Sequence, residues 1–164
     1  MSSNLVPGYE RRTMIVDGRK LKRTKSPQYY YHITEQEWGK KIILTPRDRG
    51  IKRSGGEPRI ARTCVGPSVA YCLASTVLDS SNFRVYRTKK KILSYYPVEV
   101  EDSMFTREKW LLDPTLFTHI CNIPDDLITE IWNNGLDGTN GDILRGKIPK
   151  IRSILRKYNF PEYS

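Results

Sequence analysis

This 164-residue sequence lacks long apolar runs and paired cysteines and has only two histidines. No window approaches the roughly 18 consecutive apolar residues of a spanning helix, and the opening MSSNLVPGYERRT carries no signal-peptide run. A cytoplasmic protein with no membrane partner is therefore expected. Cys64, Cys72 and Cys121 form an odd set without C-x-x-C spacing, which excludes a disulfide framework and a zinc knuckle. Only His32 and His119 could join them, so no metal site is expected. The sequence also has no G-x-x-x-x-G-K-[ST] loop, no G-x-G-x-x-G after a strand, no G-x-S-x-G elbow and no H-E-x-x-H. P-loop hydrolysis and zinc proteolysis fall away with them. Ser68 stands at a strand-to-helix turn, where its simplest role is to start the helix.

Positive charge is in excess, at a net +10. About half of it lies in residues 1–27, where Arg11, Arg12, Arg19, Lys20, Lys22, Arg23 and Lys25 face only Glu10 and Asp17. With little apolar periodicity to repay its ordering entropy, this segment reads as a flexible basic arm. Further concentrations are Arg84, Arg87, Lys89, Lys90 and Lys91, and then Arg145, Lys147, Lys150, Arg152, Arg156 and Lys157. Such a distribution favours an acidic macromolecule as partner, a nucleic acid or an acidic protein surface, and a polyphosphate-containing cofactor would satisfy it equally.

After Pro27 the composition turns aromatic and β-rich. Strands are expected at 28–34, 42–45, 60–65, 83–88, 92–100, 109–112 and 116–121, with Pro97 interrupting the fifth. Residues 47–59 (RDRGIKRSGGEPR) read as a charged loop. Val69, Cys72, Leu73, Thr76 and Val77 recur at helical spacing behind Pro67, which predicts one helix packed on a sheet. Pro124, Asp125 and Asp126 open a second helix that Asn134-Gly135 closes, a Gly-rich loop follows at 136–146, and a last helix runs from about 149 to 158. The expected fold is α+β: a mixed or antiparallel sheet with one central packed helix. Three segments result, the arm 1–27, a core 28–121 and a helical C-terminal extension 122–164.

Tyr31-His32-Ile33-Thr34 on the first core strand is followed by C-V-G-P-S-V-A-Y (64–71) at a strand-to-helix junction and later by Glu108 before another strand. This order resembles the H-Y-E arrangement of the ADP-ribosyltransferase superfamily over residues 28–121. The resemblance implies an ADP-ribosyltransferase-like fold that transfers ADP-ribose from NAD to a macromolecular acceptor. It makes Glu108 and His32 the catalytic pair, with Glu108 stabilising the charge that develops on the ribose and His32 holding the adenosine ribose. Thr34 and Ser68 would join the cofactor site, Tyr71 would stack on nicotinamide with Tyr95 or Tyr96 as substitutes, and Arg47 and Arg53 would meet the pyrophosphate beside Arg49 and Arg59. Glu99 and Glu101 are alternative carboxylates. The chain departs from the family at Ile33, where a glycine commonly follows the histidine, and in standing Glu108 alone between Arg107 and Lys109.

A second reading stays open: a non-catalytic basic protein. Cations interleaved with aromatics, as in Arg84-Val85-Tyr86-Arg87 and Lys89-Lys90-Lys91 leading to Tyr95-Tyr96, suit phosphate contact plus base stacking, with Arg152 and Arg156 contributing from the last helix. A small basic chain with an arm and a helical tail is also similar to phage-encoded effectors, which would place it in a host cytoplasm.

Overall fold

The computed structural model describes residues 13–16, 19–25, 27–47, 60–97, 107–138 and 141–161. Among these residues nine strands and three helices follow in chain order: β1 (Thr13–Val16), β2 (Arg19–Lys25), β3 (Tyr31–Thr34), β4 (Lys41–Leu44), β5 (Thr63–Val65), α1 (Val69–Ser75), β6 (Arg84–Arg87), β7 (Leu93–Pro97), β8 (Lys109–Leu111), β9 (Thr115–Asn122), α2 (Asp125–Asn133) and α3 (Gly141–Lys157). The fold is α+β, and its strands divide into two antiparallel sheets where one was expected, ordered β1-β2-β7-β8-β5 and β3-β6-β9-β4.

The four-stranded sheet is covered on both faces. Tyr31, Ile33 and Val85 look toward the helices and share a core with Leu73, Leu127, Ile131, Leu144, Ile151 and Leu155. On the opposite face Tyr86 and Phe117 meet Val65 and Leu111 of the five-stranded sheet. Double coverage explains why consecutive residues Val85 and Tyr86 are both buried, with a register shift between them against β9. A third cluster, Leu21, Ile60, Tyr95 and Trp110, lies on the other face of the five-stranded sheet. A buried hydrogen bond of 2.7 Å between the Tyr30 and Ser94 hydroxyls ties the two sheets together.

Several expected boundaries move, each for a physical reason. Part of the expected flexible arm is sheet: β2 pairs with β7 over Leu21–Lys25, and the completely buried Leu21 anchors that strand. The C-terminal helices are no separate extension, because one continuous core runs from α1 through α2 and α3. α3 begins at Gly141, well before 149, since Leu144 and Ile148 extend its buried stripe and override Gly146 and the interior Pro149. α1 is shorter than expected. It closes after Ser75, where the Thr76 hydroxyl donates to the Cys72 carbonyl at 2.7 Å and leaves Val77 exposed.

A cleft where two sheet edges part

Among the described residues, isolated bridges join the edges of the two sheets at Arg47–Arg62 and at Tyr31–Gly66, and the second shapes the cleft. β3 and β5 are the outer strands of their sheets, and they join through a single antiparallel bridge in which the Tyr31 amide donates to the Gly66 carbonyl at 2.8 Å and the Gly66 amide to the Tyr31 carbonyl at 2.9 Å. Strand alternation turns the amide and carbonyl of Ile33 the same way as those of Tyr31, toward the gap between the strands. Beyond the bridge the edges part, and α1 roofs the opening. The result is a cleft of about 200 Å³ lined by Tyr31, His32, Ile33, Cys64, Val65, Gly66, Tyr71, Cys72, Ser75, Thr76 and Glu108.

His32 and Glu108, 76 positions apart in the sequence, thus face the same opening. The His32 ring is held on several sides. Its Nδ1 lies 3.0 Å from the Cys64 carbonyl oxygen. A carbonyl only accepts, so Nδ1 carries the hydrogen in this bond. Trp38 stacks on the ring at 5.9 Å between centroids, and Phe117 meets its edge at 6.1 Å. Trp38 is itself fixed by Tyr86, whose hydroxyl accepts from the Trp38 amide at 3.1 Å and donates to the Gly39 carbonyl at 3.0 Å.

Glu108 enters from the residue before β8. Its Oε2 accepts a 2.9 Å hydrogen bond from the Trp110 indole nitrogen. The buried Arg62 guanidinium lies 4.2 Å from the Trp110 ring centroid, so a cation backs the indole whose N–H grips the carboxylate. Tyr71 is half-buried in the cleft wall, with the Arg107 guanidinium 5.9 Å from its ring centre. Cys72 closes the inner end. Burial pushes its thiol up to about 12, against a backbone hydrogen bond at Gly66 and with the Glu108 charge adding to the rise. The thiol stays protonated and donates to the Tyr31 carbonyl at 3.3 Å, which makes Cys72 a wall and no nucleophile.

Other expected site residues fall elsewhere. Ser68 is buried as the N-cap of α1, accepting from the Tyr71 amide at 3.4 Å, and is not among the described lining residues. Thr34 closes a local turn by accepting from the Gln36 amide at 3.0 Å. Arg47 is exposed on a bridge to Arg62, also away from the described cleft wall. Tyr95 is buried beside Trp110 and Leu21 and cannot stack on a ligand, while Tyr96 belongs to the opposite face of β7. Arg49, Arg53, Arg59, Glu99 and Glu101 lie outside the described residues.

Some of the expected cationic residues are engaged within the fold. Arg84 donates to the carbonyls of Glu35 and Asn82 at 2.7 and 3.1 Å and pairs with Glu37 at 3.6 Å. The Arg87 guanidinium lies 4.0 Å from the Tyr29 ring centroid and hydrogen-bonds Tyr31, and Lys90 is 5.0 Å from the same Tyr29 ring. Lys89, Lys90 and Lys91 are exposed, as is Arg156 on α3, while Arg152 is half-buried there. Sequence reasoning missed Trp38, Gly66, Cys72 and Trp110 as parts of the site. Only the E-x-W spacing carried a local signal, because alternate residues at a strand start share a face.

Among the described residues, no group of three or more His, Cys, Asp or Glu side chains could hold a metal ion, and no helix is long and apolar enough to cross a membrane. Comparison with protein-family models, with curated proteins and with solved structures finds no match to this chain.

Proposed function

We propose that the protein is an ADP-ribosyltransferase-like enzyme that transfers ADP-ribose from NAD to a macromolecular acceptor. The observation that carries this reading is the convergence of His32, Tyr71 and Glu108 on one cleft between two parting antiparallel sheets. At about 200 Å³ the cleft is smaller than the roughly 300–1,000 Å³ that takes a whole drug-sized ligand. It suits the nicotinamide–ribose half of NAD, which holds the bond to be broken, with the adenosine half extending from His32.

In this reading the C1′–N bond of NAD breaks, its electron pair leaves with neutral nicotinamide, and the acceptor nucleophile bonds to C1′ and loses its proton. Glu108 faces the ribose as it gains oxocarbenium character, an interaction stronger in the transition state than in the ground state. Trp110 holds the carboxylate by one oxygen. Tyr71 offers a π-face to the cationic nicotinamide ring. The Ile33 amide and carbonyl supply the backbone contact that glycine gives in the family, since backbone groups do not depend on the side chain. His32, with its tautomer set by Cys64, accepts a ribose hydroxyl hydrogen at Nε2.

Incubation of the protein with labelled NAD and a cell extract tests this reading. Transfer of label to a macromolecule, lost in Glu108→Ala with an unchanged thermal melt, supports it. Absence of transfer by the wild-type protein, together with no release of nicotinamide, overturns it.

A further inference from the structure

Toward β2, the face of the five-stranded sheet that packs on the four-stranded sheet through Val65 and Leu111 leaves a partly exposed row that the sequence does not reveal. Lys22 of β2 opposes Tyr96 of β7, and because Tyr95 opposes Trp110, Tyr96 comes opposite Lys109 of β8. Cross-strand partners share a face, so the three side chains stand side by side, with the outer lysine backbones about 10 Å apart across two strand spacings. The Lys109 ammonium is 4.8 Å from the Tyr96 ring centroid. Lys20, two residues before Lys22, continues the same face, and both are exposed. Lys22, Tyr96 and Lys109 have no acidic residue among them, and beyond Lys109 the row ends at Val65, which is buried between the two sheets.

We propose that this row binds single-stranded nucleic acid, with Lys20, Lys22 and Lys109 on phosphates and Tyr96 against a base. Charge complementarity selects a polyanion, and the half-buried aromatic ring flanked by ammonium groups selects one whose bases are unpaired. A double helix offers the same phosphates but hides its bases. Lys109 adds a further reason. Burial, and then the neighbouring Arg107 charge, push its ammonium below the usual lysine range against the opposing pull of Glu108. An anion on this face relieves that penalty. The surface stands on its own, independent of any NAD chemistry, although β8 links it to the cleft by presenting Lys109 here and Glu108 there.

The test is a fluorescence-anisotropy titration of the full chain with a labelled dT12 oligonucleotide over a range of salt concentrations. Three phosphate contacts predict a log K against log salt slope of about −2. Lys22→Ala should flatten the slope by about 0.7, the share of one phosphate contact on a single strand. Tyr96→Ala should weaken binding about tenfold at an unchanged slope, with Tyr96→Phe close to wild type. Each variant is checked by its thermal melt. Salt-insensitive or undetectable binding overturns the proposal. So does binding that follows Lys89, Lys90 and Lys91 substitutions instead, or a duplex that binds as tightly as the single strand and is indifferent to Tyr96.

Discussion

Replacing Gly66 with alanine probes the junction on which the cleft depends. A Cβ at position 66 would stand 2.9 Å from Cys72 Sγ, inside any normal contact distance, while its next neighbours, the Cys72 amide nitrogen and the Ser68 carbonyl oxygen, are at an ordinary 3.7 Å. The sulfur has little room to yield, because Cys72 is buried and Sγ donates to the Tyr31 carbonyl across the same bridge. Overpacking of this kind costs about 1–3 kcal/mol. For a chain of this length that lowers Tm by about 3–9 °C. Cys72→Ala alone costs about 1 kcal/mol through lost packing and one weak hydrogen bond. In the double variant the new methyl occupies space that Sγ vacates, so the two losses should fall short of additivity by about 1–2 kcal/mol. Urea unfolding of the four proteins reads this coupling directly. Strict additivity would refute the reasoning, since it would mean that the strain at position 66 does not pass through Sγ.

Three further outcomes follow from the same geometry. Trp110→Phe keeps a ring beneath Arg62 but removes the N–H held by Glu108, so NAD turnover should fall about tenfold for about 1 kcal/mol of lost stability, and unchanged turnover would refute the placement of Glu108 by the indole. With its pKa raised to about 12, Cys72 holds only about 1 thiolate in 10⁴ at pH 8 and should resist iodoacetamide in the native protein. Mass spectrometry of its peptide should show faster alkylation at pH 9–10 in Glu108→Gln, because one contribution to the rise is the Glu108 charge; an equal rate would count against their proximity. The same raised pKa makes Cys72 a source of alkaline sensitivity: its contribution is complete below the unfolded value near 9 and is lost as pH climbs toward about 12, so the loss of stability over that window should be smaller in Cys72→Ala.

Local patterns were legible where a single face decides an element. The stripe Val69, Cys72 and Leu73 marked α1, and Asn134-Gly135 marked the end of α2, where Gly135 adopts φ +64°. His32, Tyr71 and Glu108 were legible as residue types in a suggestive order, but no local rule brings residues from β3, α1 and the start of β8 together. That convergence depends on the sheets dividing at the Tyr31–Gly66 bridge, which is a long-range property. Charge misled at the N-terminus, because seven positive side chains obscured the buried Leu21 of β2. Glycine and proline misled at 141–149, where burial of Leu144 and Ile148 outweighs poor helix propensity. Ser68 was legible in its simpler role as a cap.

The most direct measurement sets NAD binding against NAD cleavage in Glu108→Gln. If the carboxylate acts on the ribose as its bond breaks, nicotinamide release should fall about 10²–10³-fold while the dissociation constant for NAD stays within about twofold of wild type. Release at the wild-type rate in this variant, or a wild-type protein that neither binds nor cleaves NAD, would contradict the account.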